Sequence, residues 1–449
     1  MKRTKLLLYS SFLVLSSSLS FGQNWLWGRQ GHGDAKANDY SSPVATDKNG
    51  NAYVAGNFGT TILFGTDTLR GSADNAYLVK YNSSGNVLWA DQLTDNTGDS
   101  YAYSVATAKS GSVYITGLFS GNEQAGSFSL LKGSALECVF LVKYDGAGNV
   151  IWAKQSSSPN GSSYGSGYGV ATDNSGNVLV TGYFADTISF GSFTLSTKLG
   201  STDQFLVKYD SNGNVLWAKQ AQTKVYAYGN SVTTDNSGNV LVSGYFEDTV
   251  YFGSTMLHTN QSKTAFLAKY SSAGNVLWAK QGVNLSINTY SNPNSVTTDK
   301  GDNIYVTGYL YDTVKFGSYT LYSSGINSAF LVKYNANGNV VWAKESSHGW
   351  QGTALANDAS NTIYMAGLTV LNAIDSLQFG NYTIRTDPSS HYVSFILRVD
   401  TSGAVMCGAI LNNLGSPGVE CFSLIGAAHK KGRTIETARC NNNCIVHHT

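Results

Sequence analysis

A unit of about 63 residues returns six times along this chain, and no arrangement that ignores the repeat can be right. Its clearest marker is a Trp in the phrase Gly-Asn-Val-Leu-Trp-Ala-Lys and its close variants. The Trp falls at Trp89, Trp152, Trp217, Trp278 and Trp342, at intervals of 63, 65, 61 and 64 residues. Cys407 holds the same place in a sixth, degraded copy, and Trp27 in Trp25-Leu26-Trp27-Gly28-Arg29-Gln30 is a stray extra copy at the front. By length alone, 449 residues would suggest two or three domains. Six units of one kind close more readily into a single body, because each buries its apolar face only against its neighbours.

Each unit reads as four short strands. In the third they are Gly169 to Asp173, Asn177 to Phe184, Phe205 to Tyr209 and Asn214 to Lys219. All are rich in β-branched and aromatic residues and bounded by Gly, Asn, Asp and Ser. In the run from Phe205 to Tyr209, the residues Phe205, Val207 and Tyr209 share one face, which is the strand period. No amphipathic helix interrupts the repeats.

The turns have a physical cause. The last two strands are joined through Gly85, Gly148, Gly213, Gly274, Gly338 and Gly403, as a tight hairpin needs one residue at positive φ. The first two are joined through Gly50, Gly111, Gly176, Gly238, Asp302 and Asn361, and the exceptions are the residue types that best tolerate that conformation. A further Gly recurs inside the second strand, at Gly56, Gly117, Gly182, Gly244, Gly308 and Gly367, and predicts a bulge or a close backbone approach. The expected fold is all-β, a β-propeller of about six four-stranded blades spanning residues 23–410.

The alternation of Thr-Asp-x-x-Gly-Asn-Val-Tyr-Val-Thr-Gly with Phe-Leu-Val-Lys-Tyr-Asp-x-x-Gly-Asn-Val-Leu-Trp resembles the bacterial SBBP-type β-propeller repeat, over roughly residues 40–408. The resemblance implies four-stranded blades. It also implies export and, in many such proteins, a C-terminal sorting domain for surface delivery. It brings no shared catalytic residues. From Gly408 onward the repeat dissolves, and residues 411–449 form a polar, Cys-bearing tail without the strands of a sorting domain.

The first 22 residues read as a secretory leader. Lys2, Arg3 and Lys5 precede the apolar, Ser-rich stretch from Leu6 to Leu19, and Ser20 and Gly22 stand at −3 and −1 before Gln23. Its removal takes those three positive charges and moves the formal net charge from +1 to −2. A near-neutral chain lacks the concentrated basic face that nucleic acid demands. Charged residues are only 13% of the chain, a value shared by packed globules and membrane proteins. No later stretch reaches 18 continuous apolar residues, which argues against a transmembrane helix. The expected location is secreted, periplasmic or at the cell surface. Five cysteines, Cys138, Cys407, Cys421, Cys440 and Cys444, are too few for a disulfide scaffold, so packing must hold the repeats.

Candidate chemistry is sparse. Asp186, Asp248 and Asp312, with Asp375 loosely similar, recur in an Asp-Thr phrase. They leave calcium open as a ligand, although one Asp per blade is dispersed for an ion that needs six to eight oxygens and turn geometry explains the spacing. Otherwise no cofactor is expected. The turn residues Asp47, Asp173, Asp235, Asp299 and Asp358 read as hairpin punctuation. Lys80, Lys143, Lys208, Lys269, Lys333 and Arg398 form one cationic position per blade, expected to cover apolar surface with its stem and keep its head in water. The repeated Trp is expected between blades. Cys440, Cys444, His447 and His448 match no zinc spacing. Glu123, Glu137 and Glu247 are blade-specific carboxylates. The variable stretches between the Trp strand and the next unit carry Trp350, Tyr164, Tyr168, Tyr226 and Tyr228, the expected ligand contacts. The expected function is an exported, non-catalytic binding or cell-surface module for an unknown protein or polysaccharide. The alternative is a polysaccharide hydrolase or lyase with its site in the channel.

Overall fold

The computed structural model describes residues 43–412 apart from 95–97, 160, 162, 199, 261–262, 287, 348, 370–375 and 386–392. It also gives the backbone of His32–Gly33 and of four short strands between Ala427 and Val446. The leader, the Trp25 to Gln30 segment, Asp375 and most of the tail lie outside these residues.

Six four-stranded antiparallel sheets follow one another along the chain, and the described residues contain no helix. Unit 3 is typical, with strands Tyr164–Thr172, Val178–Ala185, Thr202–Tyr209 and Val215–Thr223 paired in sequence order. The first strands of units 1 to 6 are Val44–Thr46, Ser100–Thr107, Tyr164–Thr172, Ala227–Thr234, Tyr290–Thr298 and Trp350–Asn357, and each packs on the next. They therefore stand at the axis. The cores lie between sheets, as in the cluster where Leu179 and Leu206 of unit 3 meet Val242, Phe246 and Phe266 of unit 4. This is a six-bladed β-propeller.

The turns form as their residues require. Asp173 Oδ1 accepts hydrogen bonds from the backbone N–H of Ser175 and Asn177, both at 2.9 Å, and Oδ2 accepts from Asn177 Nδ2 at 2.8 Å. Asp47, Asp235 and Asp299 do the same, and Asp358 makes the two backbone bonds. These carboxylates are hairpin punctuation. Asp302 and Asn361 take φ of 59° and 62° where the other units use Gly.

The repeated Trp and Lys work together between blades. Trp217 Nε1 and Lys208 Nζ both donate to the carbonyl of Ser272 in the next unit's last turn, at 3.2 Å each. Trp89 with Lys80 reaches Gly146 O, Trp152 with Lys143 reaches Ser211 O, and Trp342 with Lys333 reaches Thr401 O. The turn Gly lies on the ring: a Cβ on Gly274 would stand 3.0 Å from Trp217. The expectation that the Lys head stays in water is corrected here. Lys80, Lys208, Lys269 and Lys333 are buried, because the neighbouring carbonyl, and in two cases an Asp, replaces the solvent.

After its second strand each unit carries a small hairpin, such as Thr249–Phe252 with Thr255–His258, that reaches back to the preceding outer strand. The register repeats. Gln222, five residues after Trp217, faces Tyr251, and Val283, five after Trp278, faces Lys315. His32, five after Trp27, faces Leu63 of unit 1 at the equivalent place. The chain before unit 1 thus enters in the register of an outer strand.

Candidate functional site

Every described first strand from unit 2 to unit 6 slips register once, next to the recurrent Gly of its partner. In unit 3 the slip falls between Gly167 and Gly169, leaving Tyr168 as the extra residue. The equivalents are Tyr103, Asn230, Asn294 and Thr353. A bulge re-aims its side chain, and here it reaches the neighbouring axial strand. Tyr103 meets Tyr168 edge-on at 5.3 Å between ring centroids, Asn230 Nδ2 donates to Pro293 O at 2.7 Å, and Asn294 Nδ2 donates to Gly352 O at 2.8 Å. The same backbone explains the Gly opposite. A Cβ on Gly182 would stand 1.8 Å from Ser166 O, and on Gly117 1.7 Å from Tyr101 O.

At the end of the channel where the variable connections arrive, units 2 to 4 carry a continuous arc of tyrosines. Tyr101 stacks on Tyr103 at 6.0 Å, and beyond Tyr103 and Tyr168 the contacts run Tyr168–Tyr183 at 5.3 Å, Tyr183–Tyr228 at 4.5 Å and Tyr228–Tyr245 at 5.0 Å. Tyr164 packs edge-on against Tyr183, and Tyr226 does so against Tyr228 and Tyr245. All are half-buried. Unit 5 carries a separate set in which Tyr290 stacks on Tyr311 and meets Tyr309 edge-on.

Tyr164, Tyr168, Tyr226 and Tyr228 are thus brought together, but not on loops. Tyr164, Tyr168 and Tyr228 lie in first strands, and Tyr226 precedes one and bridges to Thr202. Trp350 is corrected more sharply. It opens the first strand of unit 6, is fully buried, and packs edge-on against Phe395 at 5.3 Å. Trp350 stands two residues before its register Gly352, whereas Tyr226 and Tyr228 stand three and one before Gly229. In a strand that offset turns it to the opposite, core face. Tyr101, Tyr103, Tyr183 and Tyr245 were missed. Tyr183 and Tyr245 recur in the repeat phrase after Gly182 and Gly244, so they resemble scaffold.

The arc is electrically one-sided. Burial raises the hydroxyls of Tyr103, Tyr168 and Tyr183 above the ordinary tyrosine value; Glu137 raises all three further, Tyr168 adds to the rise at Tyr103 and Tyr183, and the Tyr183 hydrogen bond offsets part of it at Tyr168. Tyr101 donates to Asp74 Oδ2 at 2.9 Å, and Tyr226 hydrogen-bonds Glu247. Tyr101, Tyr103, Tyr168, Tyr183 and Tyr226 therefore stay neutral. Burial also pushes the Glu137 carboxyl above its usual range. Lys263 Nζ sits over the Tyr245 ring, 5.4 Å from its centroid. Beneath the arc, Ser166, Tyr183 and Gln204 share one register row, and Ser166 Oγ and Gln204 Oε1 are buried without a hydrogen-bond partner among the described residues. Asp203 is buried too and pushed by that burial to about 6, while the Thr223 N–H and Gln220 amide hold it in place.

The other sequence candidates are elsewhere. Asp186, Asp248 and Asp312 take φ of 66°, 63° and 63°, and the hydroxyls of Thr249 and Thr313 donate to the latter two. Among the described residues, no group of three or more His, Cys, Asp or Glu gathers as metal ligands. Glu123 belongs to the outer hairpin of unit 2. Cys138 is a buried free thiol. Among the described residues, no helix is long and apolar enough to cross a membrane.

Fold and site together define a β-propeller whose axial strands carry an asymmetric aromatic arc. The family model of the SBBP beta-propeller repeat matches residues 26–57. Over 258 residues the chain is 28% identical to an uncharacterized WD repeat-containing protein of Acanthamoeba polyphaga mimivirus, a match covering 49% of this chain and 18% of that protein. The chain therefore spans under a fifth of that relative's length. It is also similar to a Bacteroides caccae protein of unknown function (12% identity, 80% of this chain and 93% of the other, TM-score 0.40). A puromycin hydrolase S511A mutant is similar at 9% identity, over 90% of this chain and 58% of the other, with a TM-score of 0.41.

Proposed function

We propose that the chain is an exported, non-catalytic binding module that holds its ligand on the tyrosine arc of units 2 to 4. The leader-like first 22 residues support export, and a secreted, periplasmic or surface location follows from them. The observation that carries the binding reading is where the repeat stops repeating. At the bulge position, Tyr103 and Tyr168 give way to Asn230, Asn294 and Thr353, although the scaffold around them is kept. A frame needs no such difference. A site does, because a ligand has no six-fold symmetry. Half-buried tyrosines offer large, stiff contact area and hydroxyls at low entropic cost.

The alternative, a polysaccharide hydrolase or lyase, draws on Glu137, whose carboxyl is raised by burial and acts electrostatically on Tyr103, Tyr168 and Tyr183. Glycoside hydrolysis needs two carboxylates flanking one bond. Glu123 belongs to the outer hairpin of the same unit, and Glu247, which follows the second strand of unit 4, is engaged with Tyr226.

The test is affinity electrophoresis of the mature chain through gels cast with a panel of neutral and acidic polysaccharides, beside calorimetry with oligosaccharides. One ligand should be retained, and Tyr228→Ala should weaken it roughly ten-fold, in line with the cost of losing one aromatic contact. Retention that survives Tyr228→Ala and Tyr168→Ala unchanged would place the site elsewhere.

A further inference from the structure

We propose that the tyrosine arc seats an organic monocation, an alkylammonium or guanidinium group, between tyrosine faces and the Glu137 carboxylate. This rests on the reading of the arc as the binding site and names its ligand class.

Three independent observations point the same way. First, the arc offers aromatic faces, the negative side of the ring quadrupole, at centroid separations of 4.5–5.3 Å from Tyr103 through Tyr168, Tyr183 and Tyr228 to Tyr245. Second, the full charges that act on Tyr101, Tyr103, Tyr168, Tyr183 and Tyr226 are carboxylates. Glu137 acts on Tyr103, Tyr168 and Tyr183, Asp74 acts on Tyr101 and Tyr103, and Glu247 acts on Tyr226. An anion would meet repulsion there, and a neutral sugar would leave Glu137 half-buried without a counter-charge. Third, the arc already holds one cation, since Lys263 Nζ rests over the Tyr245 ring at 5.4 Å. An ammonium on a flexible stem therefore fits one end of the arc, and the stretch over Tyr168 and Tyr183 beside Glu137 has the same chemistry. Below it, Gln204 Oε1 and Ser166 Oγ are further acceptors, fully buried and unpartnered among the described residues.

The experiment is calorimetric titration of the mature chain with four probes: n-butylammonium, trilysine, triglutamate and maltohexaose. Butylammonium and trilysine should bind competitively, and triglutamate should not bind. Trilysine binding with no butylammonium binding still supports the seat and assigns its source to a polypeptide. Glu137→Gln, which keeps size and hydrogen bonding, should weaken trilysine at least five-fold at low salt, and salt should erode wild-type binding. Lys263→Met should strengthen trilysine by freeing the Tyr245 face, a change that damage to folding cannot produce. If maltohexaose binds and neither cation does, the cation seat is overturned while the arc remains a binding site. If no probe binds and the polysaccharide panel is also silent, both readings fall. Trilysine binding that is indifferent to Glu137→Gln and Lys263→Met also overturns the proposal.

Discussion

Gly182→Ala is expected to be among the most damaging single-methyl additions available in this chain, while Gly176→Ala, six residues earlier, is expected to be tolerated. The two glycines differ in what a Cβ would meet. At Gly182 it would stand 1.8 Å from the carbonyl oxygen of Ser166 and 3.0 Å from the Phe205 ring. The oxygen belongs to the backbone of the paired axial strand, so it cannot swing aside like a side-chain tip. Relief means prising Ser166 from Tyr183, at the row that supports the arc. Overpacking of a close core costs about 1–3 kcal/mol, and a backbone clash should reach or exceed the upper end. Gly176 has φ of 80° and open space around its Cα, so Ala there meets only the left-handed conformational penalty, about 1–2 kcal/mol. Guanidinium unfolding of both variants checks this. Equal losses would mean that the crowding at Gly182 does not hold in solution. Gly117 and Gly244, with Cβ positions 1.7 and 1.8 Å from the equivalent carbonyls, should behave like Gly182.

That glycine was legible in the sequence as a close approach, and much of the frame was legible for the same reason. Turn Gly, Asp and Asn act within four residues of themselves, so their spacing states their role. What the sequence concealed depends on partners about a blade away. The buried Lys head is one case, because its acceptor, Gly146 for Lys80 or Ser272 for Lys208, stands 66 or 64 residues further on. The extent of the first strand is another. Tyr164-Gly165-Ser166-Gly167-Tyr168 reads as a flexible connection by composition, yet it pairs from Tyr164 onward, because small residues are what the crowded axis admits. Four of the five aromatic candidates fell in the arc because they lie in stretches that vary between units. Trp350 met the same criterion and failed, since variability locates a position without saying which face it takes.

Lys208→Met is expected to destabilise the chain by about 3–5 kcal/mol, the range for breaking a buried ion pair by removing one partner. Lys208 Nζ stands 2.9 Å from Asp173 Oδ2, with both side chains 5% exposed. The substitution fills similar volume but leaves the carboxylate in an apolar seam. Unit 2 supplies the control, because Ala108 occupies the place of the turn Asp there, and Lys143 meets the Ser211 carbonyl, the rings of Tyr114 and Trp152 and the field of Asp210 rather than a buried carboxylate. Lys143→Met should therefore cost only about 1 kcal/mol, the net worth of one hydrogen bond. Adding Asp173→Ala to Lys208→Met removes both charges, as in the Lys143→Met variant of unit 2, and should recover part of the loss, which a merely steric effect of Met could not do. The pH dependence follows the same pair. Burial would raise the Asp173 and Asp235 carboxyls, but hydrogen bonds from Asn177 and Asn239 and the adjacent Lys outweigh it and hold both below the ordinary range. A depressed carboxyl contributes stability above its unfolded value, about 3.9, and loses it as pH falls through the lower folded value. The wild-type chain should thus keep this contribution at pH 5 and lose it progressively below about pH 4. In Lys208→Met the Asp173 carboxyl rises, so less stability is lost on acidification and the acid limb should flatten or reverse, read as denaturant midpoint against pH. An unchanged acid limb would mean that Lys208 does not hold the Asp173 charge.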